Sequence, residues 1–238
     1  MKKMKVVKVG NKIIMVGNKV LINQSSAPIS NGLLTDLYDY WDMDTFTLSP
    51  ATITGVNSNV LVGENGSDFV SSQFTNDIKS SVYSFNSTNA VNLDSTTLTL
   101  SEWSVSLWFK GIDGFNEVEL LSGDPFFQYN ISGKKFNGIQ FDFSPSGDIS
   151  WAGKTTWNTT GYNHVVLTYT NLTLSFYLNG VYLGDFSDDT SNPSILSAGG
   201  DQQYGYIDEL AIWSRVLSNT DVEALYNDGT GLFYPDFN

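Results

Sequence analysis

The chain has 238 residues, a formal net charge of −13 and no cysteine. The length suits one large all-β domain, and the acidic balance argues against nucleic acid as a partner, because phosphate binding draws on clustered lysine and arginine. Without cysteine, a disulfide framework and a thiolate metal site are excluded. Aromatic residues make up 14% of the chain and charged residues only 16%, which favours many short strands joined by polar turns.

Residues 1–23 predict a small three-stranded meander. Gly10-Asn11 and Gly17-Asn18 each separate two strand-like runs. Every apolar run is interrupted, so we expect neither a signal peptide nor a membrane span. Three short strands bury little apolar area. They either pack against their own domain or stay partly disordered, or they form an arm that adds strands to another protein and anchors this one to an assembly. A polar linker is predicted at 24–31.

The remainder, residues 32–238, predicts one antiparallel β-sandwich. The segment 45–75 has a periodicity too weak for any assignment, and the runs beyond it are separated by turn residues. The predicted strands are Ser81–Phe85, Ala90–Leu93, Trp103–Phe109, Glu119–Ser122, Phe126–Ile131, Ile139–Phe143, Ile149–Trp151, His164–Thr170, Leu172–Leu178, Val181–Phe186 and Tyr206–Trp213.

The clearest strand signal lies at Leu172–Leu178. Its apolar residues fall on every second position, which predicts one face in the core and the other in water. Asn179-Gly180 then supplies two residues that accept positive φ, so we expect a tight turn into the next strand.

A single helix is predicted near the C-terminus. Ser218 is a candidate N-cap, with Asp221 at the third helical position as in a capping box. Val222, Leu225 and Tyr226 form one apolar stripe, and Asp228-Gly229 is a stop signal.

Several of these segments resemble laminin-G-like domains, the concanavalin A-like jelly-roll sandwiches. The resemblance rests on Tyr162–Gly184 and Tyr206–Asn227, with further similarity at Ser81–Phe85 and Trp103–Phe109. Gly32–Asp44 is similar to the opening strand of that family. The resemblance implies a jelly-roll from about Gly32 to the C-terminus, with a short helix near its end.

The tail Ala224–Asn238 is similar to the ends of laminin-G-like domains in bacteriophage structural proteins. That resemblance implies a virion structural or decoration protein, displayed on a capsid or tail surface, attached to other virion proteins through the N-terminal arm and adhering to host-surface glycans. The alternative is a free, extracellular carbohydrate-binding lectin module. Unpaired strand edges also favour a homo-oligomer.

The sequence does not predict an enzyme. Its one histidine, His164, lies inside a predicted strand, where a packed structural role is expected. Sandwich glycosidases need paired carboxylates on one side of a strand. Glu117 and Glu119 alternate correctly but lack a third carboxylate, and the adjacent Asp208 and Glu209 are expected to point to opposite faces.

The family resemblance implies a calcium site at the edge of the sandwich, because calcium prefers carboxylate and carbonyl oxygens. Asp44 and Asp208 are the best matches by motif position, with Asp42 and Glu209 behind them. The alternative is that Asp208 or Glu209 caps a turn or pairs with a basic residue such as Arg215.

Exposed aromatic rings beside amides can stack on the C–H faces of sugars. Trp151 and Trp157 flank the loop 152–156, and Tyr204 follows two glutamines just before the last predicted strand. These three residues are the predicted carbohydrate-binding surface. The alternative is that both tryptophans close the core or cover a sheet edge.

Overall fold

The structure is a computed structural model. It describes residues 7–9, 12–14, 31–44, 46–48, 51–63, 74–75, 82–85, 91–93, 98–111, 117–124, 127–130, 135–138, 148–150, 152–187, 194–198 and 205–237.

The described residues form strands for most of their length. The strands are β1 Val7–Val9, β2 Lys12–Ile14, β3 Leu37–Trp41, β4 Phe46–Leu48, β5 Ala51–Thr54, β6 Val60–Gly63, β7 Phe74–Thr75, β8 Val82–Phe85, β9 Val91–Leu93, β10 Leu98–Thr99, β11 Glu102–Gly111, β12 Glu117–Asp124, β13 Phe127–Asn130, β14 Lys135–Gly138, β15 Asp148–Ser150, β16 Asn163–Thr170, β17 Thr173–Leu178, β18 Val181–Ser187, β19 Ser194–Ala198 and β20 Gly205–Trp213. Helix α1 spans Asn219–Tyr226, and short 3-10 turns lie at Asn31–Leu33 and Asn227–Gly229.

Two large sheets form the sandwich. Among the described strands, the ten-stranded sheet runs β15-β14-β13-β12-β19-β9-β6-β5-β4, with β10 beside β19. The eight-stranded sheet runs β18-β17-β16-β11-β20-β8-β7, with β3 beside β20. The pairings are antiparallel, for example β11 with β16 and β20, so the predicted all-β jelly-roll is confirmed.

The main core lies between the two sheets. Ile53 and Leu61 face it from the ten-stranded sheet, and Trp103, Val105 and Leu107 face it from β11, as their alternation predicts. Burying these side chains removes most of their apolar surface from water, at roughly 25 cal/mol per Å². The interior of the sandwich is therefore the main source of its stability.

A second core covers the outer face of the eight-stranded sheet. Helix α1 and the tail that follows it lie over this face, so a strand here buries both of its sides. On β17, Phe176 faces the main core while Tyr177, only 6% exposed, faces the second core. The prediction that this second face meets water was wrong for Tyr177, whereas Thr173 and Ser175 on the same face are only half-buried. The buried members of this core are Leu33, Tyr40, Val166, Tyr177, Ala211, Trp213, Leu217, Val222, Leu225 and Phe237.

Other strand expectations had mixed outcomes. The unassigned segment contains β4, β5, β6 and β7, and no strand was predicted at β10, β14 or β19. The predicted strand Ile139–Phe143 lies outside the described residues. In the N-terminal segment, β1 pairs with β2 in the register Val9 opposite Lys12, and the predicted third strand lies outside the described residues.

Helix α1 begins as predicted. Ser218 Oγ accepts a hydrogen bond from the Asp221 N–H at 3.2 Å, and Asp221 Oδ2 accepts one from the Ser218 N–H at 2.9 Å. Burial alone would raise the pKa of Asp221, but hydrogen bonds from Ser218 and Arg215 hold it below its ordinary value. Asn227, at φ 46°, ends the helix just before the predicted stop. No described helix is long and apolar enough to cross a membrane.

Strand β3 carries a buried carboxylate that fixes the turn between β5 and β6. Asp39 accepts hydrogen bonds from the N–H groups of Asn57 and Asn59, each at 2.8 Å. Burial raises the pKa of Asp39, although these hydrogen bonds oppose the rise. A Cβ at Gly55 would lie 2.3 Å from Asp39 Oδ1, so only glycine admits this approach.

Candidate functional site

A groove of about 390 Å³ opens where the second core meets the end of α1. One wall is the loop 156–162, and the other is the C-terminal end of the helix. The described residues that line it are Trp108, Thr156, Trp157, Asn158, Thr159, Tyr162, Asn179, Tyr226 and Gly229.

Trp108 forms the floor of the groove. It lies on β11 among residues that alternate between the two cores, and its side chain takes the outer face, where it is 5% exposed. Its ring centroid lies 5.0 Å from that of His164 and 6.1 Å from that of Tyr226, and the Tyr226 ring is stacked upon it. The Trp108 ring is therefore held by His164 of the neighbouring strand β16 and by Tyr226 of the helix that covers this face.

A ladder of three asparagines shapes the loop wall. Asn158 and Asn163 exchange two hydrogen bonds, from the Asn158 N–H to Asn163 Oδ1 at 2.8 Å and from Asn163 Nδ2 to the Asn158 carbonyl at 2.9 Å. Asn179 Nδ2 donates to Asn163 Oδ1 at 3.1 Å and to the Thr156 carbonyl at 3.0 Å. These bonds hold the loop in one conformation before any ligand arrives.

The turn between β17 and β18 determines how close the helix wall can lie. Asn179 and Gly180 have φ values of 51° and 76°, as the predicted turn requires. A Cβ at Gly180 would lie 2.9 Å from Tyr226 Cδ1. The glycine thus serves both the turn and the close approach of the Tyr226 ring.

The chemistry of the groove combines aromatic rings with neutral polar groups. Thr156, Asn158 and Thr159 are exposed, while Tyr226 is half-buried. Within the described part of the chain, the hydroxyls of Thr156, Thr159 and Tyr226 make no hydrogen bond, so they are available to a ligand. Aromatic rings beside a few placed polar groups are typical of small-molecule sites.

The three predicted sugar-binding aromatics fare differently. Trp157 lines the groove, but it is only 8% exposed and its ring packs 6.1 Å from that of Phe109 in the main core. Trp157 thus helps to close the core, as the alternative proposed, while still contributing to the groove wall. Trp151 and Tyr204 lie outside the described residues.

The four predicted calcium ligands are placed in two groups. Asp42 and Asp44 follow β3, and the Asp44 N–H donates to Asp42 Oδ1 at 2.9 Å. Asp208 and Glu209 are buried within β20. In the described residues, no group of three or more acidic or histidine side chains is arranged to hold a metal ion. Calcium binding by these residues remains a prediction.

The alternative roles suggested for Asp208 and Glu209 can be compared with their contacts. Asp208 Oδ1 accepts a hydrogen bond from the Glu209 N–H at 2.9 Å, a local contact within the chain. Arg215 forms its ion pair with Asp221 instead, at 3.1 Å. Arg215 also donates to the carbonyls of Gly32 and Thr35, which joins the start of the sandwich to its last helix.

The expectation that Asp208 and Glu209 point to opposite faces was wrong. The register of β11 and β20 shifts between the Trp108 and Ser106 pairings, and Glu209 has φ 53°. Ile207 and Leu210 both face the main core, so the two residues between them fall on the outer side. This β-bulge breaks the simple alternation and directs Glu209 beneath the helix.

Glu209 belongs to a buried polar cluster under the second core. It shares a cavity of about 10 Å³ with His164, Ser106 and Tyr40. Ser106 Oγ and His164 Nε2 are hydrogen-bonded at 2.7 Å. Burial lowers the pKa of His164 to about 3 and raises the pKa of Glu209 to about 8. Both groups are therefore neutral near pH 7, because burial away from water disfavours their charged forms.

This cluster is poorly suited to nucleophilic catalysis. A histidine with a pKa near 3 is a weak base at neutral pH, and His164 Nδ1 has no hydrogen-bond partner among the described residues to orient the ring. Leu225, Leu232 and Phe233 close the cavity from above. The prediction of a packed, structural His164 is confirmed at 1% exposure.

Sequence reasoning missed most of the groove. Trp108 was assigned only to a regular strand, and Asn158, Tyr162 and Tyr226 were not recognised as one surface. A signal was present in β11, where Ser104, Ser106 and Trp108 stand at alternate positions and face outward. A large aromatic in that position indicates a further layer covering the sheet.

Comparison with known proteins agrees with the architecture. The sequence profile of the concanavalin A-like lectin/glucanases superfamily matches residues 85–223, more than half of the chain. The chain belongs to this superfamily. No protein with a curated description matches this superfamily member in sequence.

Solved structures with the same fold are distant in sequence. The ligand-binding domain of botulinum neurotoxin serotype D, in complex with N-acetylneuraminic acid, is 15% identical with a TM-score of 0.59, covering 81% of this chain and 50% of that one. A Trypanosoma rangeli sialidase mutant displaying trans-sialidase activity is 10% identical with a TM-score of 0.58, covering 83% and 34%. The chain thus spans half or less of these structures, and the likeness shows the fold alone.

Proposed function

We propose that this protein binds carbohydrate in the groove between the loop 156–162 and the end of α1, without catalysing a reaction on it. The observation that carries the proposal is the lining itself, in which tryptophan and tyrosine rings adjoin exposed amide and hydroxyl groups. Its volume of about 390 Å³ lies at the lower end of the range of roughly 300–1,000 Å³ for small-molecule sites. That size fits a single sugar or the end of a glycan.

The physical basis is the amphipathic surface of a sugar ring. The C–H face of a sugar packs against an aromatic ring, and its hydroxyls need polar partners once they leave water. Tyr226 offers both a ring and a hydroxyl, and Thr159 adds a second hydroxyl on the opposite wall. The fold supports the same proposal by analogy, since the toxin domain above was solved with N-acetylneuraminic acid.

The setting of this binding is a further part of the proposal. We place the protein on a virion surface, attached to other virion proteins through residues 1–23, with adhesion to host glycans as its role. In support, β1 and β2 pair with each other and with neither large sheet among the described strands. The alternative setting is a free extracellular lectin, and copurification with particles would distinguish it from a virion protein. A calcium requirement, which glycan binding with and without calcium would test, and a homo-oligomer are additions to either setting.

Removing two groove hydroxyls should weaken binding without disturbing the fold. The double variant Tyr226→Phe/Thr159→Val deletes both groups and retains the side-chain shapes. We expect roughly a tenfold loss of affinity on a glycan array, since two hydrogen bonds are worth about 1–3 kcal/mol.

The matched control is Tyr182→Phe/Thr220→Val, because both of its residues are exposed and lie outside the groove. This variant should bind as the wild type does. Equal losses in both variants, or an array on which the wild-type protein binds no glycan, would contradict the proposed function.

A further inference from the structure

The described lining of the groove is uncharged. Among its described lining residues there is no lysine, arginine, histidine, aspartate or glutamate. Two neighbouring lysines already have contacts, one of them with the ring of the lining residue Tyr162. Lys154 Nζ donates to the Leu183 carbonyl, and Lys110 Nζ lies 5.6 Å and 5.7 Å from the ring centroids of Tyr162 and Tyr206. An anion bound against this lining would therefore lose part of its hydration without a cation among the lining side chains, which is unfavourable.

The backbone of the loop wall offers little to an anion either. Successive backbone N–H groups can replace a cation by cradling a carboxylate or phosphate. In this loop, the Asn158 N–H already donates to Asn163 Oδ1, and the N–H groups of Thr160 and Gly161 donate to Asn158 Oδ1 at 3.2 Å and 2.9 Å. The contacts of Asn158 and Asn163 thus occupy three backbone N–H groups of the loop, those of Asn158, Thr160 and Gly161, which an acidic ligand could otherwise use.

The opposite wall disfavours negative charge as well. Tyr226 is the last residue of α1, and Gly229 follows it, so the groove meets the C-terminal end of the helix. This end carries the negative pole of the helix dipole, where anions are destabilised. The net charge of −13 on the whole chain adds long-range repulsion of acidic ligands.

From these three observations we infer that the groove selects uncharged sugars and discriminates against sialic acids and other acidic glycans. The inference rests on the proposed function and narrows it to one ligand class.

The test is binding to paired glycans that differ only in a terminal sialic acid, for example N-acetyllactosamine and its α2,3- and α2,6-sialylated forms, on an array that also carries other neutral sugars. We expect neutral sugars to bind at least tenfold more tightly than the sialylated members. Equal or tighter binding of sialylated glycans would overturn the inference while leaving carbohydrate binding intact. Binding of no glycan would overturn both, by removing the proposed function.

A charge placed in the groove makes the test independent of which neutral sugar binds. Thr159→Lys adds an ammonium to the exposed loop wall, and Thr220→Lys makes the same change of net charge outside the groove. We expect Thr159→Lys to lower the ratio of neutral-glycan affinity to sialylated-glycan affinity at least twofold. Thr220→Lys should leave that ratio unchanged. Equal effects in both variants would show that net charge, rather than the groove, sets the preference.

Discussion

The Glu209→Gln variant is expected to lose less stability than the wild-type protein as the pH rises. Burial raises the pKa of Glu209 from 4.5 to about 8, so the folded state holds a proton that the unfolded state has released. Each pH unit in that window lowers the free energy of unfolding by about 1.4 kcal/mol. The contribution is fully present below pH 4.5 and lost by about pH 8, a total of about 5 kcal/mol.

The free energy of unfolding of both proteins can be measured by urea unfolding at each pH. Their difference cancels the contributions of the titratable groups that the two proteins share. The difference in free energy of unfolding should grow in favour of Glu209→Gln between pH 4.5 and 8. His164→Gln should show the opposite dependence, because burial lowers the pKa of His164 from 6.5 to about 3 and stability is lost as the pH falls through that range. Tyr40 is the other titratable residue of this cavity. Curves parallel to the wild type would contradict the buried, neutral state of both groups.

Replacing Trp108 should reduce both stability and sugar binding. Its ring touches His164, Tyr226 and Phe233, and it forms the floor of the groove. Trp108→Ala leaves a cavity between β11 and α1, and we expect a loss of about 3–5 kcal/mol in the free energy of unfolding. Trp108→Phe should lose less stability and still weaken binding, because the smaller ring no longer fills the floor.

Trp103 provides the matched control. It lies on the same strand, faces the main core at 1% exposure and stacks on Tyr169 at 5.6 Å. Trp103→Ala should cost a similar free energy of unfolding, and Trp103→Phe should leave glycan affinity unchanged. If both phenylalanine variants lost affinity in proportion to their stability, Trp108 would have no specific role in the groove.

Strand periodicity predicted the sandwich wherever one residue in two faces the main core. In β11 and β17 the inward positions are apolar, and the structure confirms them. The signal fails for β4, β5 and β6, which are only three or four residues long and so show little periodicity. The second core was missed because the outward positions of the strands beneath it mix Tyr177 with serines. That pattern is also typical of a solvent-exposed strand face.

The groove could be predicted only in part for a related reason. Trp157 was identified because it flanks a predicted loop, whereas Trp108 and Tyr226 come from a strand and a helix more than a hundred residues apart. Their contact depends on the docking of α1, which no local pattern encodes. The orientation of Glu209 was likewise wrong, because the bulge arises from the pairing of β11 with β20.

The most direct test of carbohydrate binding in the groove uses the indole N–H signals of the six tryptophans in a ¹⁵N–¹H correlation spectrum. The titrant is the neutral glycan that gives the strongest array signal, and single Trp→Phe variants assign the peaks. We predict shifts for Trp108 and Trp157, which line the groove, and none for Trp103 or Trp213, which are buried and do not line it. Shifts confined to Trp103 and Trp213, or no shift at a saturating glycan concentration, would contradict the proposed site.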